Sequence, residues 1–158
     1  MYYFKENSYE FHGYNYDKFR RILTYKDGKH IKDQDFYDGK LVGETTFKWD
    51  NKELKLATGR YEGKIAKIVP FKHGKVDGTV KEYDSNGDLK QISHYKNGKL
   101  HGKETEYRSG KLAAERFFEN GLPVGVETWY HSNGAVFSRQ DFKSGKIEHF
   151  DKEGKPMK

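Results

Sequence analysis

The chain has 158 residues, enough for one domain, with 30 Lys and Arg against 24 Asp and Glu and a formal charge of +6. It has no cysteine, which excludes disulfides and thiolate metal sites, and no apolar run long enough for a bilayer span or a secretory h-region. The simplest location is therefore the cytoplasm. The 21 Leu, Ile and Val are outnumbered by 25 aromatics, which predicts a thin structure held by stacked rings and not by a thick aliphatic core.

From the N-terminus, residues 1–20 carry eight of those aromatics and match nothing downstream. They read as an N-terminal cap with a short helical turn around Asp17–Leu23, and with the partial motif Tyr25-x-x-Gly28 they form a segment 1–35 that ends in a first, degenerate hairpin. Residues 36–150 are the repeat region. Phe36-x-x-Gly39-x-Leu41-x-Gly43 opens it, and residues 44–70 follow as an irregular stretch with Trp49, an Asp50-Asn51 turn and a weak copy at Tyr61-Glu62-Gly63. Then Phe71-x-x-Gly74-x-Val76-x-Gly78 recurs as Tyr95-x-x-Gly98-x-Leu100-x-Gly102, as Phe118-x-x-Gly121-x-Pro123-x-Gly125, and as Phe142-x-x-Gly145-x-Ile147, where His149 replaces the last glycine. The copies start 24, 23 and 24 residues apart, a period that marks a repeat architecture in which each unit buries its apolar face against its neighbours. Residues 151–158 read as a polar tail that ends or frays.

Each copy is a β-hairpin. Asn97-Gly98 suits a type I′ turn, because both central residues need positive φ, and Asn120-Gly121, Asn86-Gly87 and Asn133-Gly134 repeat the signal. A two-residue turn fixes the register. It sets Tyr95 opposite Leu100, His94 opposite His101, Phe71 opposite Val76, Phe118 opposite Pro123 and Phe142 opposite Ile147, each aromatic–aliphatic pair contributing about 0.2–1 kcal/mol. Gly78, Gly102 and Gly125 fall inside strands, where glycine weakens structure, so a ring lying across each gap is expected, from Tyr83, Tyr107 or Tyr130 five residues on.

These residues resemble the MORN-repeat family, and most closely its bacterial variant form. Tyr95-Lys96-Asn97-Gly98-Lys99-Leu100-His101-Gly102 follows the first half of that consensus and Trp129-Tyr130-His131-Ser132-Asn133-Gly134 the second. The resemblance covers residues 71–145 and extends from 36. It implies an all-β fold, an elongated single-layer antiparallel β-meander of ~24-residue hairpins curved into a shallow trough. It also implies a scaffold for protein contacts, with lipid binding proposed for some members and an antitoxin or immunity role against a partner toxin for a bacterial subset.

Catalysis finds little support. No nucleophile elbow, P-loop, dinucleotide fingerprint or zinc spacing is present, and a flat sheet gathers few converging groups, so no catalytic residue, cofactor or metal is expected. His94 facing His101 lacks a third ligand and reads as a polar cross-strand pair. Two binding readings remain. Trp49, Phe117 and Trp129 fall out of phase with the ladder residues and are expected on the opposite face, where with Tyr83, Tyr107 and Tyr130 they would anchor a protein partner or a second copy of the chain. Alternatively Lys72, Lys75, Lys96, Lys99, Lys143 and Lys146, gathered on one edge, would form a basic rim for anionic lipid or nucleic acid.

Overall fold

The computed structural model describes residues 4–5, 8–11 and 18–157. Its strands are β1 (Phe4–Lys5), β2 (Ser8–Phe11), β3 (Phe19–Lys26), β4 (Lys29–Tyr37), β5 (Lys40–Asp50), β6 (Glu53–Tyr61), β7 (Lys64–Lys72), β8 (Lys75–Val76), β9 (Gly78–Tyr83), β10 (Leu89–Lys96), β11 (Lys99–Arg108), β12 (Lys111–Glu119), β13 (Leu122–Tyr130), β14 (Val136–Asp141) and β15 (Ile147–His149). They pair antiparallel in chain order as one open sheet, with only β8 off the path, paired to β7. The expected β-meander is the observed fold. Among the described residues no helix forms, and the helical turn expected at Asp17–Leu23 is replaced, from Phe19 on, by β3. The expected N-terminal cap lies partly outside the described residues; its described parts, β1 and β2, are strands at the margin of the same sheet.

Local chemistry sets the reversals. Asp27-Gly28, Asp38-Gly39, Glu62-Gly63, His73-Gly74, Asn97-Gly98, Ser109-Gly110 and Asn120-Gly121 each hold two positive-φ residues, as a type I′ turn requires. Ser85-Asn86-Gly87 and Ser132-Asn133-Gly134 differ from expectation. Only their glycines have positive φ, and bonds such as His131 N–H to the Ala135 carbonyl (2.8 Å) close longer, three-residue loops. An extra residue relaxes the need for two left-handed positions. The turns alternate between two rims. The Asn97 rim holds the reversals at 27–28, 51–52, 73–74, 97–98 and 120–121; the Ser109 rim holds those at 38–39, 62–63, 85–87, 109–110 and 132–134. The repeat thus runs without a break through residues 44–70, contrary to the irregular reading, and the Phe36 copy sits half a repeat out of phase, on the Ser109 rim.

Cross-strand pairs follow the turns. Phe71 pairs with Val76, Tyr95 with Leu100 and Phe118 with Pro123, as expected, and Tyr25–His30 and Trp49–Leu54 extend that ladder along the Asn97 rim. A second ladder on the Ser109 rim, not foreseen, joins Phe36 to Leu41, Tyr83 to Leu89, Tyr107 to Leu112 and Tyr130 to Val136. The fourth copy departs: Ile147 pairs with Gln140, not Phe142, because Asp141 and Lys146 close a wider loop.

The in-strand glycines have a different cause from the one expected. Gly78, Gly102 and Gly125 have φ of +111°, +104° and +69°, and none of Tyr83, Tyr107 and Tyr130 stands over them: the near neighbours are the Pro70 ring at Gly78 and the near end of His94 at Gly102. At each, pairing slips by two residues; between Tyr95–Leu100 and Ser93–Glu104, for example, one strand spends two more residues than the other. The glycine admits the left-handed backbone of that bulge. The same slip removes His94 from the place opposite His101.

A single layer buries little. Ala57, Val80, Ala113 and Ala114 are the buried apolar residues, with Ser93, Glu104, Thr105 and Ser138 beside them, and among the described residues no large side chain is fully buried. The tail does not fray: Phe150 pairs with Pro156, and Met157 N–H donates to the His149 carbonyl at 2.8 Å.

Candidate functional site

Paired residues point the same way and alternate along a strand, so the register assigns the two faces. One face carries Val80, Ser93, Glu104 and Arg116 in successive partner positions, with Glu127 and Gln140 beyond. Here Arg116 binds Glu127 at 2.5 Å, Glu104 at 2.9 Å and Glu106 at 3.3 Å, and lies 4.6 Å over the Trp129 ring. Glu104 also accepts from Gln91 (2.8 Å) and Ser93 (2.9 Å). Burial works against the Arg116 charge, but the bonds from Glu127 and Glu104 outweigh it and hold its pKa above the ordinary value. Every charge in this cluster is committed to another, so it knits four strands together and offers a partner little.

Trp129 pairs with Ala114 on this same face, two positions from Arg116, and Phe118 shares the face too. Trp49 alternates with Phe47, which pairs with Ala57 in the same row, and donates its indole N–H to the His30 carbonyl at 2.7 Å. Both tryptophans therefore share the ladder side, against expectation: Trp49, opposite Leu54, is itself the ladder residue of its hairpin, and Trp129 stands an even count from Pro123, so alternation returns it to that face. Both are half-buried. Tyr83, Tyr107 and Tyr130 are half-buried as well, held in the second ladder, and Tyr130 donates to Glu115 at 2.9 Å. Burial first, and that bond second, raise the Tyr130 pKa.

Phe117 alone of the three points to the opposite face, and it is 45% exposed. There Thr105, Glu115, Thr128, Arg139 and Glu148 succeed one another across β11–β15, and Val126 pairs with Asp141. The strands enclose an open groove of about 550 Å³ lined by Phe117, Val126, Thr128, Arg139, Lys146 and Glu148, with Asp141 at its end. Val126 is 40% exposed and Leu122, on the same face at the turn, 69%. Most charges in the groove are spoken for. Lys146 pairs with Glu148 at 2.7 Å. Asp141 accepts from the backbone N–H of Ser144 and Lys143, which hold its pKa below the usual range. Lys103 pairs with Glu115, and this bond holds the Glu115 carboxyl low. Arg139 differs: its guanidinium has a ring contact to Phe150 (5.8 Å) and, among the described residues, no carboxylate partner. Sequence reasoning missed Val126, Leu122 and Arg139; their alternation with Thr128 was legible, but not which of two faces would be left open.

Lys72, Lys75, Lys96, Lys99, Lys143 and Lys146 all flank reversals of the Asn97 rim, as expected, whereas Lys64 and Lys111 on the other rim donate to the Ser85 and Ser132 carbonyls of the next turn. His94 gives its Nδ1 to the Lys103 carbonyl (2.5 Å), and no cluster of metal-ligating residues occurs among the described residues.

The family described as MORN repeat variant matches residues 76–97 and 123–144. Both stretches contain the three-residue Ser-Asn-Gly loop on the Ser109 rim; the intervening hairpin, which turns at Ser109-Gly110, falls outside them. Repeats of this kind are protein- or membrane-binding modules. No curated protein matches the chain. Among solved structures it is similar to accessory secretory protein 1, 2 and 3 of Streptococcus pneumoniae (18% identity, 66% of this chain, 18% of that one, TM-score 0.34). It is similar also to the GtfA/B complex bound to UDP and GlcNAc (15%, 72% and 23%, TM-score 0.33) and to TarM (14%, 91% and 21%, TM-score 0.32). The chain spans about a fifth of the length of those chains, and likeness at these scores carries no argument about what it does.

Proposed function

We propose that the chain is a non-enzymatic protein-binding module, of the kind that neutralises a partner toxin as an antitoxin or immunity protein, and that it binds through the groove on the Phe117 face. The observation that supports this is the exposed apolar strip Phe117–Val126–Leu122 beside Arg139, a cation with no carboxylate of its own. An aromatic anchor next to an arginine is the composition of an interface centre. A partner that sets an apolar side chain on Phe117 and Val126 and a carboxylate on Arg139 satisfies both.

The test is gel filtration with the product of the adjacent reading frame. The expected result is a stoichiometric complex that survives about 0.3 M salt, where exposed charge pairs are largely screened, and is lost in Phe117→Ser with Val126→Ser. A complex indifferent to those changes rejects the groove as the interface. The basic Asn97 rim supports a second reading, contact with an anionic lipid surface or nucleic acid. Retention on heparin or anionic vesicles that collapses over the same salt range, with no protein complex, would establish it in place of the first.

A further inference from the structure

The two-residue bulge at Gly78 has a consequence at the Asn97 rim. It leaves β8 paired to β7 alone, while β9 resumes pairing with β7 only at Lys67 and Ile68. Beyond the bulge the His73-Gly74 hairpin is tied to the Asn97-Gly98 turn by the Gly98 N–H, which donates to the Val76 carbonyl at 2.8 Å. Between them opens a notch of about 440 Å³ whose walls include Lys72, His73, Asp77, His94, Lys96 and His101.

The polar groups of this notch are unevenly satisfied. The Asp77 carboxylate accepts the Asn97 N–H at 2.9 Å. His73 leans on Glu53, its ring nitrogen 3.5 Å away. His94 is tied to the Lys103 carbonyl through Nδ1. By contrast Lys72 and Lys96 have no ion pair or hydrogen bond among the described residues, and each faces a like charge across its turn, Lys75 and Lys99. His101 is the odd group. Its Nδ1 is the one buried side-chain nitrogen or oxygen, among the described residues, that lacks a hydrogen-bond partner. A buried N–H without an acceptor costs more than a buried lone pair, so the imidazole proton belongs on Nε2, where it is a donor looking for an acceptor.

We propose that this notch is a binding site for a phosphate-type oxyanion, either free or carried as a phosphomonoester on a lipid headgroup. Lys72, Lys96 and His101 line the notch from β7, β10 and β11, and a tetrahedral oxyanion offers acceptors on every side to their N–H groups. The one facing carboxylate, Asp77, is engaged by the Asn97 backbone, so the notch stays cationic. The site is distinct from the Phe117 groove, which lies on the same face but two repeats further along the sheet, and its fate does not depend on that reading. It also differs from a diffuse basic rim, because it requires Lys72, Lys96 and His101 and not Lys143 or Lys146.

The experiment titrates the full chain with inorganic phosphate at constant ionic strength, following backbone amide and histidine ring NMR shifts. Saturable shifts confined to Asn97, Gly98 and the His101 ring are expected. Lys72→Gln with Lys96→Gln, or His101→Asn alone, weakens the affinity by about tenfold or more, the size expected when a hydrogen bond to a charged group is lost, whereas Lys143→Gln with Lys146→Gln leaves it unchanged. Circular dichroism melts confirm that each variant is folded. A second arm uses phosphatidylcholine vesicles containing either phosphatidic acid or phosphatidylserine. Saturable binding of free phosphate assigns a soluble ligand; binding of phosphatidic acid vesicles alone, lost in the same variants, assigns the lipid-borne group. Shifts that spread evenly along the rim, or binding that survives Lys72→Gln with Lys96→Gln, overturn the site.

Discussion

The hairpins before and after residue 75 share their turns and differ in their interiors. Both halves reverse at the same spacing, mostly on positive-φ pairs. In the first half the slip at the Asn97 rim is one residue wide, between Thr24 and Tyr25 and between Lys48 and Trp49, and no glycine is needed for it. In the second half it is two residues wide and carried by Gly78, Gly102 and Gly125. Among the described residues, seven of the eight buried ones lie after residue 75, with Ala57 the exception. Turns are local and come cheaply; how tightly successive ribbons nest depends on the bulge that sets each strand's phase and on what fills the row it creates.

The strongest way to break this contrast is at the charges. Glu104 is buried and held by Arg116, whereas Arg21 meets Asp35 at 2.5 Å in the first half on a largely exposed surface. Arg116→Met leaves a buried carboxylate without its counter-ion and is expected to cost about 3 kcal/mol. Arg21→Met removes a surface pair and should cost less than about 1 kcal/mol. Urea unfolding of the two variants checks this. Equal losses would show that the two halves are held by the same means. The Arg116 variant also uncovers Trp129, so its native fluorescence should shift while that of the Arg21 variant does not.

Backbone strain comes next. Gly102 has φ +104°, and a methyl group there would meet the His94 Cβ at 3.3 Å. Gly102→Ala should destabilise by about 1–3 kcal/mol, the range for a side chain forced into that backbone region. If the glycine served instead to admit a covering ring, Gly102→Ala with Tyr107→Ala would recover stability; additivity of the two losses is the expected outcome.

How far these features could be read in advance follows the same division. The turns, the aromatic–aliphatic partners Tyr95–Leu100 and Phe118–Pro123 and the lysine rim were legible, because a two-residue reversal fixes its neighbours by counting. The roles of Gly78, Gly102 and Gly125 were visible as recurrences but misattributed, since a repeated glycine marks either missing bulk or an unusual φ and the letter is the same. The tryptophans are a separate case. A slip of two residues keeps the alternation, so the side of Trp129, an even count from Pro123, was countable from the turn. The Phe117 groove combines residues from β12 to β15, and its outline depends on the wide Asp141–Lys146 loop, which the two-residue register expected for Phe142 and Ile147 did not anticipate.

Acid separates the halves less sharply. Glu115 is held low chiefly by Lys103 and then by Tyr130, and Asp141 by the N–H groups of its loop. A carboxyl whose folded pKa is depressed contributes fully above its unfolded value, near about 4.3 for Glu, and loses that contribution as pH falls through the folded value. Melting temperature should therefore drop between about pH 4.5 and 2, and Glu115→Gln should lie lower at neutral pH and fall less over that window. Glu53, held low by Lys55 and the His73 N–H, supplies the first-half control. Because its bonds lie at a rim turn open to solvent, Glu53→Gln should leave the acid limb nearly parallel to that of the wild type.

The smallest effect has the opposite sign. Gly59 lies in β6 with ordinary φ, and a methyl group there would find Thr45 Oγ1 at 3.7 Å and the Lys67 carbonyl at 3.9 Å, both normal contacts. Gly59→Ala restricts the unfolded chain without straining the folded one and should gain about 0.4–1 kcal/mol. Set beside Gly102→Ala, it separates two uses of one residue within one sheet. A loss at both positions would mean that the first half also depends on glycine-borne backbone geometry, and the difference in bulge width would then not explain why the second half packs more closely.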